Sequence, residues 1–266
     1  LTKINQIQGN EIMLRYLPFL FAFLFSIAHA GTMGEKSSFA GLFAGAGGGY
    51  VNTNLTKETS VTMFSSFSPV TQYFREDNIR ESFAPIADIA YFRAVPSYEE
   101  TYVGLKAIYK YLGIQHPRIA WSGTFQNGTY QEASLLTEVV QELLFTANAG
   151  MAIHDNWLVY LGVGPSITEV RTNMRGSLLP ATSVTFQFND ITNDKWLWGV
   201  AGQVGFEYLM PRRFMLDLSY NLVVTPKGQI PSTYFQSDTS GFYTRFSQRV
   251  SILEQGLNIT VNKFFD

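Results

Sequence analysis

Phe214-Met215-Leu216-Asp217-Leu218-Ser219-Tyr220-Asn221-Leu222-Val223-Val224 decides how the rest of the chain reads. Alternate positions give Phe214, Leu216, Leu218, Tyr220 and Leu222 on one face, and Met215, Asp217, Ser219 and Asn221 on the other. Period two sustained over eleven residues is a strand with one apolar and one polar face. The common soluble strand is about five or six residues, whereas a tilted membrane-crossing strand needs about nine to eleven.

Working outward from residues 214–224, seven further segments read as strands: 40–54, 83–93, 102–114, 139–153, 157–173, 196–209 and 248–265. Three connections are short turns, around Pro96-Ser97, at His154-Asp155-Asn156 and at Met210-Pro211-Arg212-Arg213. The other four, 55–82, 115–137, 174–195 and 225–247, each exceed twenty residues. So many long connections count against a soluble domain. Long and short connections in strict alternation over an even strand count describe an all-β, eight-stranded antiparallel up-and-down transmembrane β-barrel, with long loops outside the cell and short turns in the periplasm. Both termini are then expected in the periplasm. The 40–54 segment alternates weakly, being built from Ala and from Gly41, Gly45, Gly47, Gly48 and Gly49.

A soluble barrel shows the same alternation turned inside out, so the facing needs its own argument. The polar face mixes charges with small residues: Gly199, Ala201, Gln203, Gly205 and Glu207 on one segment, Glu142, Thr146, Asn148 and Gly150 on another. Such residues suit the narrow lumen of eight strands. Aromatics gather toward strand ends, with Trp196 and Trp198 against Phe206 and Tyr208, and with Tyr109, Tyr111, Trp157, Phe214 and Tyr220, as interfacial girdles require.

The last segment, Glu254-Gln255-Gly256-Leu257-Asn258-Ile259-Thr260-Val261-Asn262-Lys263-Phe264-Phe265-Asp266, resembles the C-terminal insertion signal of bacterial outer-membrane proteins. Glu254, Gly256, Ile259, Val261 and Phe265 fill its polar, glycine, spaced apolar and aromatic places; the chain departs from it by ending in Asp266 and by carrying Lys263 on the apolar face, where a rim lysine can snorkel. Residues 40–265 resemble the small eight-stranded outer-membrane barrels, namely the OmpA transmembrane domain, OmpX and the opacity-type surface proteins. The resemblance rests on architecture and the terminal signal. It implies a Gram-negative outer-membrane location, contact with outer-membrane lipid and lipopolysaccharide, and delivery to the barrel-assembly machinery through the C-terminal strand.

Composition agrees. Charged residues are 15% and aromatics also 15%, low charge with ample girdle material. The net charge of −2 excludes the electrostatic footprint of a nucleic-acid binder. With no Cys there are no disulfides and no thiolate metal sites. Arg15, the apolar run 17–27 and Ala28-His29-Ala30 before Gly31 read as a cleaved signal peptide. Residues 1–30 are therefore expected to be an upstream extension plus leader, starting at Met13, with the barrel domain at 31–266.

For chemistry, the lumen comes first. Parity points Asp88, Lys106, Lys110, Glu142, Gln203, Glu207, Asp217 and Glu254 inward, with Asp88 near Lys106 and Lys110 near Glu142. Charges in a narrow lumen are costly unless paired, so an ion-pair network is expected, serving either as a filled core or as a narrow porin-like channel. Catalysis has thin support: downstream of the leader only His116 and His154 occur, and neither sits in the His-x-Ser pair of lipid A deacylases. His116 with Ser122 is the one pair that imitates a palmitoyl transferase's loop His and Ser. No ligand spacing marks a metal site, and no cofactor is expected. The 45–49 glycines lack the Gly-Lys-Ser/Thr of a phosphate loop. The remaining candidates are aromatics in the long connections: Met63, Phe64, Phe67, Tyr73 and Phe74, then Tyr234, Phe235, Phe242, Tyr243 and Phe246. They read either as a partner surface or as strands extended beyond the bilayer. The expected function is non-enzymatic, structural or surface-interacting, carried by the four outer loops; a narrow channel for small or apolar solutes is the alternative, and a lipid A-modifying enzyme the third.

Overall fold

The computed structural model describes residues 39–64, 69–96, 98, 100–124, 130–179, 186–236 and 243–265. The expected leader lies outside them. Eight antiparallel strands run in chain order: β1 Gly41–Phe64, β2 Val70–Ala94, β3 Thr101–Thr124, β4 Tyr130–His154, β5 Trp157–Leu179, β6 Phe186–Met210, β7 Phe214–Gln236 and β8 Tyr243–Phe265. Each pairs with the next, and β1 pairs with β8 from Leu42↔Phe265 to Phe64↔Tyr243, closing the barrel.

Alternation sets the facing. Met215, Asp217, Ser219 and Asn221 are buried, while Phe214, Leu216, Leu218, Tyr220 and Leu222 are exposed. The same holds around the ring, giving an outward apolar belt over 42–50, 83–91, 103–111, 143–153, 157–167, 196–208, 214–224 and 253–265. Ten residue steps at about 3.3 Å, tilted by about 45°, make a band about 24 Å tall, the thickness of an outer-membrane hydrocarbon layer. The girdle aromatics expected from the sequence all lie on this outer surface, though Tyr220 falls at mid-belt; Trp157 packs on Phe206 and Tyr208 with ring centroids 4.4 and 4.3 Å apart.

The strands are far longer than the alternating segments suggest. At 23–25 residues each, they rise roughly 55 Å at the same tilt, about twice the belt. The four expected long loops are therefore mostly strand: 55–64 and 70–82, 115–124 and 130–137, 174–179 and 186–195, 225–236 and 243–247 are all paired ribbon. The physical reason is solvent. On β1 the outward face changes from Leu42, Ala44, Ala46 and Tyr50 to Asn52, Asn54, Thr56, Glu58, Ser60 and Thr62. Above the bilayer, a strand satisfies its backbone with a polar outer face.

Two seams open this upper half. β2 and β3 pair only from Ala94↔Tyr102 to Ile86↔Lys110, and β6 and β7 only from Met210↔Phe214 to Val200↔Val224. The cylinder thus divides into two four-stranded sheets, β7-β8-β1-β2 and β3-β4-β5-β6. Each parting coincides with a proline, Pro85 directly before Ile86 and Pro226 two residues after Val224. Proline offers no N–H to a ladder and belongs on edges. On β3 the departure also meets a register shift between Tyr111 and Ile114, where Gly113 adopts φ 57°. That left-handed turn suits glycine at a bulge.

Candidate functional site: the layered lumen

The eight inward residues expected from parity are all buried; seven of them form two separate tiers, while Glu207, in register with Asp217, has no hydrogen-bond partner among the described residues. In the tier nearer the short turns, Lys106 on β3 pairs with Asp88 on β2 at 3.1 Å and with Asp217 on β7. The Tyr160 hydroxyl donates to Asp217 at 3.1 Å and accepts from Lys106 at 3.3 Å and from Gln203 Nε2 at 3.0 Å. Thr146 donates to Gln203, and Thr260 to Asp88. In the second tier, Lys110 Nζ lies 3.2 Å from Glu142 Oε2 and 2.6 Å from Glu254 Oε1, and Thr168 donates to Glu142 at 3.1 Å. The two sequence-level pairings, Asp88 with Lys106 and Lys110 with Glu142, are thus direct contacts. Glu254 serves twice: it also begins the segment resembling the insertion signal, where Gly256, Ile259, Val261 and Phe265 pair with β1 residues Val51, Gly48, Ala46 and Leu42.

Apolar floors separate the tiers. Below the first sits an aromatic plug of Phe39, Phe43, Phe92, Tyr102, Leu158 and Met215. Between them lie Ile86, Ile108, Leu144, Ala201 and Val223. Above the second, Val51, Leu55, Leu112, Ile114, Val139, Val170, Leu197, Ile230, Val250 and Ile252 join the two sheets face to face. Buried polar residues recur higher still. Gln248 on β8 spans the sheets to Thr137 at 3.1 Å and Thr172 at 3.2 Å. Lys57 pairs with Glu76 at 3.1 Å and donates to the Pro117 carbonyl across the β2–β3 seam at 2.8 Å.

Glycines make this filling possible. A Cβ on Gly49 would lie 2.4 Å from Asn258 Oδ1, and one on Gly205 would lie 2.1 Å from the Tyr160 ring. Within the glycine run that weakens alternation in β1, Gly45 and Gly49 are therefore inner wall kept bare for Asn262 and Asn258 of β8, while Gly48 faces outward against the Phe83 ring. Tyr160 is the functional residue that sequence reasoning missed. Its parity was readable, but among so many girdle aromatics a single inward tyrosine carries no separate signal.

His116 is buried on β3, whereas Ser122 is exposed, and neither ring nitrogen of His116 has a hydrogen-bond partner among the described residues. Residue 116 lies above the belt. Burial there, with Lys57 and Arg80 nearby, holds its imidazole down at about 4 against an ordinary 6.5. This arrangement supplies no nucleophile to a base. No group of three or more potential metal ligands occurs among the described residues. Of the aromatics in the expected loops, Tyr73 is exposed, Phe246 is buried between the sheets, and Phe67 and Phe242 lie outside the described residues.

No family model matches the chain, and no curated protein does. Among solved structures, the chain is similar to the outer membrane protein OprG from Pseudomonas aeruginosa, at 12% identity over 85% of this chain and 97% of that one, with a TM-score of 0.44. It is similar to Ail, the attachment invasion locus protein of Yersinia pestis, at 10% identity over 78% and 98%, with a TM-score of 0.25. Neisserial surface protein A gives 14% identity over 83% and 99%, also with a TM-score of 0.25. At such identities and scores no role passes from these proteins to this chain. Its own strand count, closure, inward polar tiers and outward apolar belt make it an eight-stranded, antiparallel, up-and-down transmembrane β-barrel of the outer-membrane kind.

Proposed function

We propose that this is a non-enzymatic, non-conducting barrel of the bacterial outer membrane, whose role is carried by the two-sheet extension above the bilayer. The observation that carries the reading is the lumen: three apolar floors and two ion-paired tiers occupy its cross-section from Phe39 to Val250. Eight strands leave room for side chains and little else. Both termini lie in the periplasm on this reading, because the short turns end the strands on the same side as Leu42 and Phe265. Strand β8 would engage the assembly machinery, and the belt would contact outer-membrane lipid and lipopolysaccharide.

A narrow channel is the second reading, and one observation favours it. Glu207, Asn221 and Asn258 are buried with no protein partner for their side-chain oxygens or nitrogens among the described residues. Polar groups in that position call for water, and a hydrated chamber is the beginning of a path. Planar-bilayer recording of the purified protein decides between them. The proposal expects a silent membrane; discrete, reproducible conductance steps overturn it. Expression should also leave the mass of lipid A unchanged, and an added or missing acyl chain would replace both readings with an enzyme.

A further inference from the structure

At the rim that carries the short turns, the exposed charges sort by sign around the ring. Arg93 on β2, Lys263 on β8 and Arg212 in the β6–β7 turn are exposed along one arc. Among the described residues, the exposed carboxylates of this rim lie elsewhere. Asp155 is in the β4–β5 turn, and Glu100 stands against β4, where its carbonyl accepts from the Ala152 N–H at 2.7 Å. Arg93 and Arg212 make no hydrogen bond or ion pair among the described residues. Lys263 turns toward the end of its own strand, with Nζ 6.0 Å from the centroid of the Phe265 ring. The turn adds a second observation. Arg212 and Arg213 adopt φ 66° and 63°, in the left-handed region that glycine occupies at least cost. Two consecutive arginines hold that backbone at a penalty, a pattern that gathers at binding sites.

The level of the arc fits a single layer of the membrane. Arg93 lies two residues past Tyr91, where the belt ends on β2, and Arg212 two residues before Phe214, where it ends on β7. Both stand about 5 Å beyond the hydrocarbon. Lys263 starts two residues inside the belt and bends toward the rim. A bilayer's headgroup layer is about 5–8 Å deep, so all three cations meet it at one depth. Lys263 and Arg93 flank β1: Lys263 is in register with Ala44, and Arg93 follows Phe92, the partner of Gly41. Two strand spacings across and about four residues along put their Cα atoms about 16 Å apart. Ammonium and guanidinium groups both bind phosphate through charge-assisted hydrogen bonds. Two phosphodiesters joined through one glycerol span such a gap, whereas a single phosphate meets one cation or the other.

We infer that this arc binds an anionic phospholipid of the periplasmic leaflet whose headgroup carries two phosphodiesters, one at Lys263 and the other at Arg93, with Arg212 extending the positive field. The inference rests on the outer-membrane reading above. The test uses the purified full-length protein folded in nonionic micelles, titrated with diphosphatidylglycerol or with zwitterionic phosphatidylethanolamine and followed by native mass spectrometry. One saturable diphosphatidylglycerol per barrel is expected, with affinity falling about tenfold or more for Arg93→Ala/Lys263→Ala. Arg75→Ala/Arg249→Ala removes two exposed cations beyond the opposite end of the belt and should bind as the parent does. Equal affinity for phosphatidylethanolamine, no loss in Arg93→Ala/Lys263→Ala, or an equal loss in Arg75→Ala/Arg249→Ala overturns the assignment. Displacement of the lipid by soluble acidic muropeptides would give the arc to the cell wall and overturns it too. A parent chain without heat-modifiable gel mobility would sink the barrel reading instead; a heat-modifiable barrel that takes up no such lipid sinks this inference alone.

Discussion

Removing Lys110 is the sharpest perturbation of the lumen. Its ammonium is fully buried between Glu142 and Glu254, both also fully buried, at 3.2 and 2.6 Å. Lys110→Met keeps the length and most of the volume but deletes the only cation of the tier. Two carboxylates would then share an enclosed space with Thr168 as the nearest donor. Stranding a buried charge costs about 3–5 kcal/mol, and two facing acids should place the variant at the upper end. Glu142→Gln behaves differently, because it leaves the closer Lys110–Glu254 pair intact and its amide still accepts from Thr168. That variant should cost about 1 kcal/mol or less, in the range of a neutral hydrogen-bond exchange. The combined Lys110→Met/Glu142→Gln/Glu254→Gln variant strands nothing and should regain most of the loss. Urea unfolding in lipid vesicles, read by tryptophan fluorescence and gel mobility, gives all four values. A Lys110→Met cost below about 1 kcal/mol, or a triple variant as unstable as the single, would show that the tier is not held by charge.

Protease added to intact cells should cut between β1 and β2, β3 and β4, β5 and β6, or β7 and β8, and should spare the turns at Asp155 and Pro211; cleavage at those turns in sealed cells reverses the topology. Deleting residues 257–266 removes β8 partners for both β1 and β7. Unpaired backbone in lipid costs several kcal/mol per group, so heat-modifiable mobility should disappear, while Lys263→Ala at the rim should change stability by only about 0–1 kcal/mol. Gly205→Ala sets a methyl against the Tyr160 ring and should destabilise by about 1–3 kcal/mol; in a Tyr160→Leu background, itself weakened by loss of the hydroxyl's bonds to Asp217, Lys106 and Gln203, the same substitution should cost much less, and an unchanged cost there would mean that the ring is not the obstacle. The His116 imidazole, held at about 4 by burial, Lys57 and Arg80, stays neutral while an unfolded chain protonates near 6.5. Stability from this group is therefore present above pH 6.5 and lost as pH falls toward 4, and a titration midpoint near 6.5 in the folded protein would refute its burial.

The strand count, the facing and the lumen residues were legible because each leaves a period-two trace where one face meets lipid. Residues 214–224 show it plainly, and Asp88, Lys106, Lys110, Glu142 and Glu254 stand out as charges on otherwise guarded faces. The upper halves of the strands were not legible. Residues 52–62 carry Asn, Thr, Glu and Ser outward and Thr53, Leu55, Lys57 and Thr59 inward, so hydropathy alternation nearly vanishes while the backbone remains fully paired. Water on the outer face removes the contrast on which periodicity depends. The tier structure was hidden for another reason. Glu254 meets Lys110 across 144 residues, and only barrel closure brings β8 within reach of β3.

The two halves of the molecule answer to different solvents, and the prolines mark the exchange. Within the belt, every strand must be paired on both sides, because lipid offers no substitute for a missing partner. Above it, water can satisfy an open edge, and the β2–β3 and β6–β7 ladders end near Pro85 and Pro226, at the upper part of the belt. Once the ring is cut in two, the interior need not follow a cylinder. The sheets close on each other through Val139, Val170, Val250 and Ile252, as a sandwich does. That closure sets apolar side chains across the lumen from above, just as Phe39, Phe43 and Phe92 are set across it from below. Roughly half of each strand thus stands outside the membrane, where water rather than lipid sets which residues its outer face can carry.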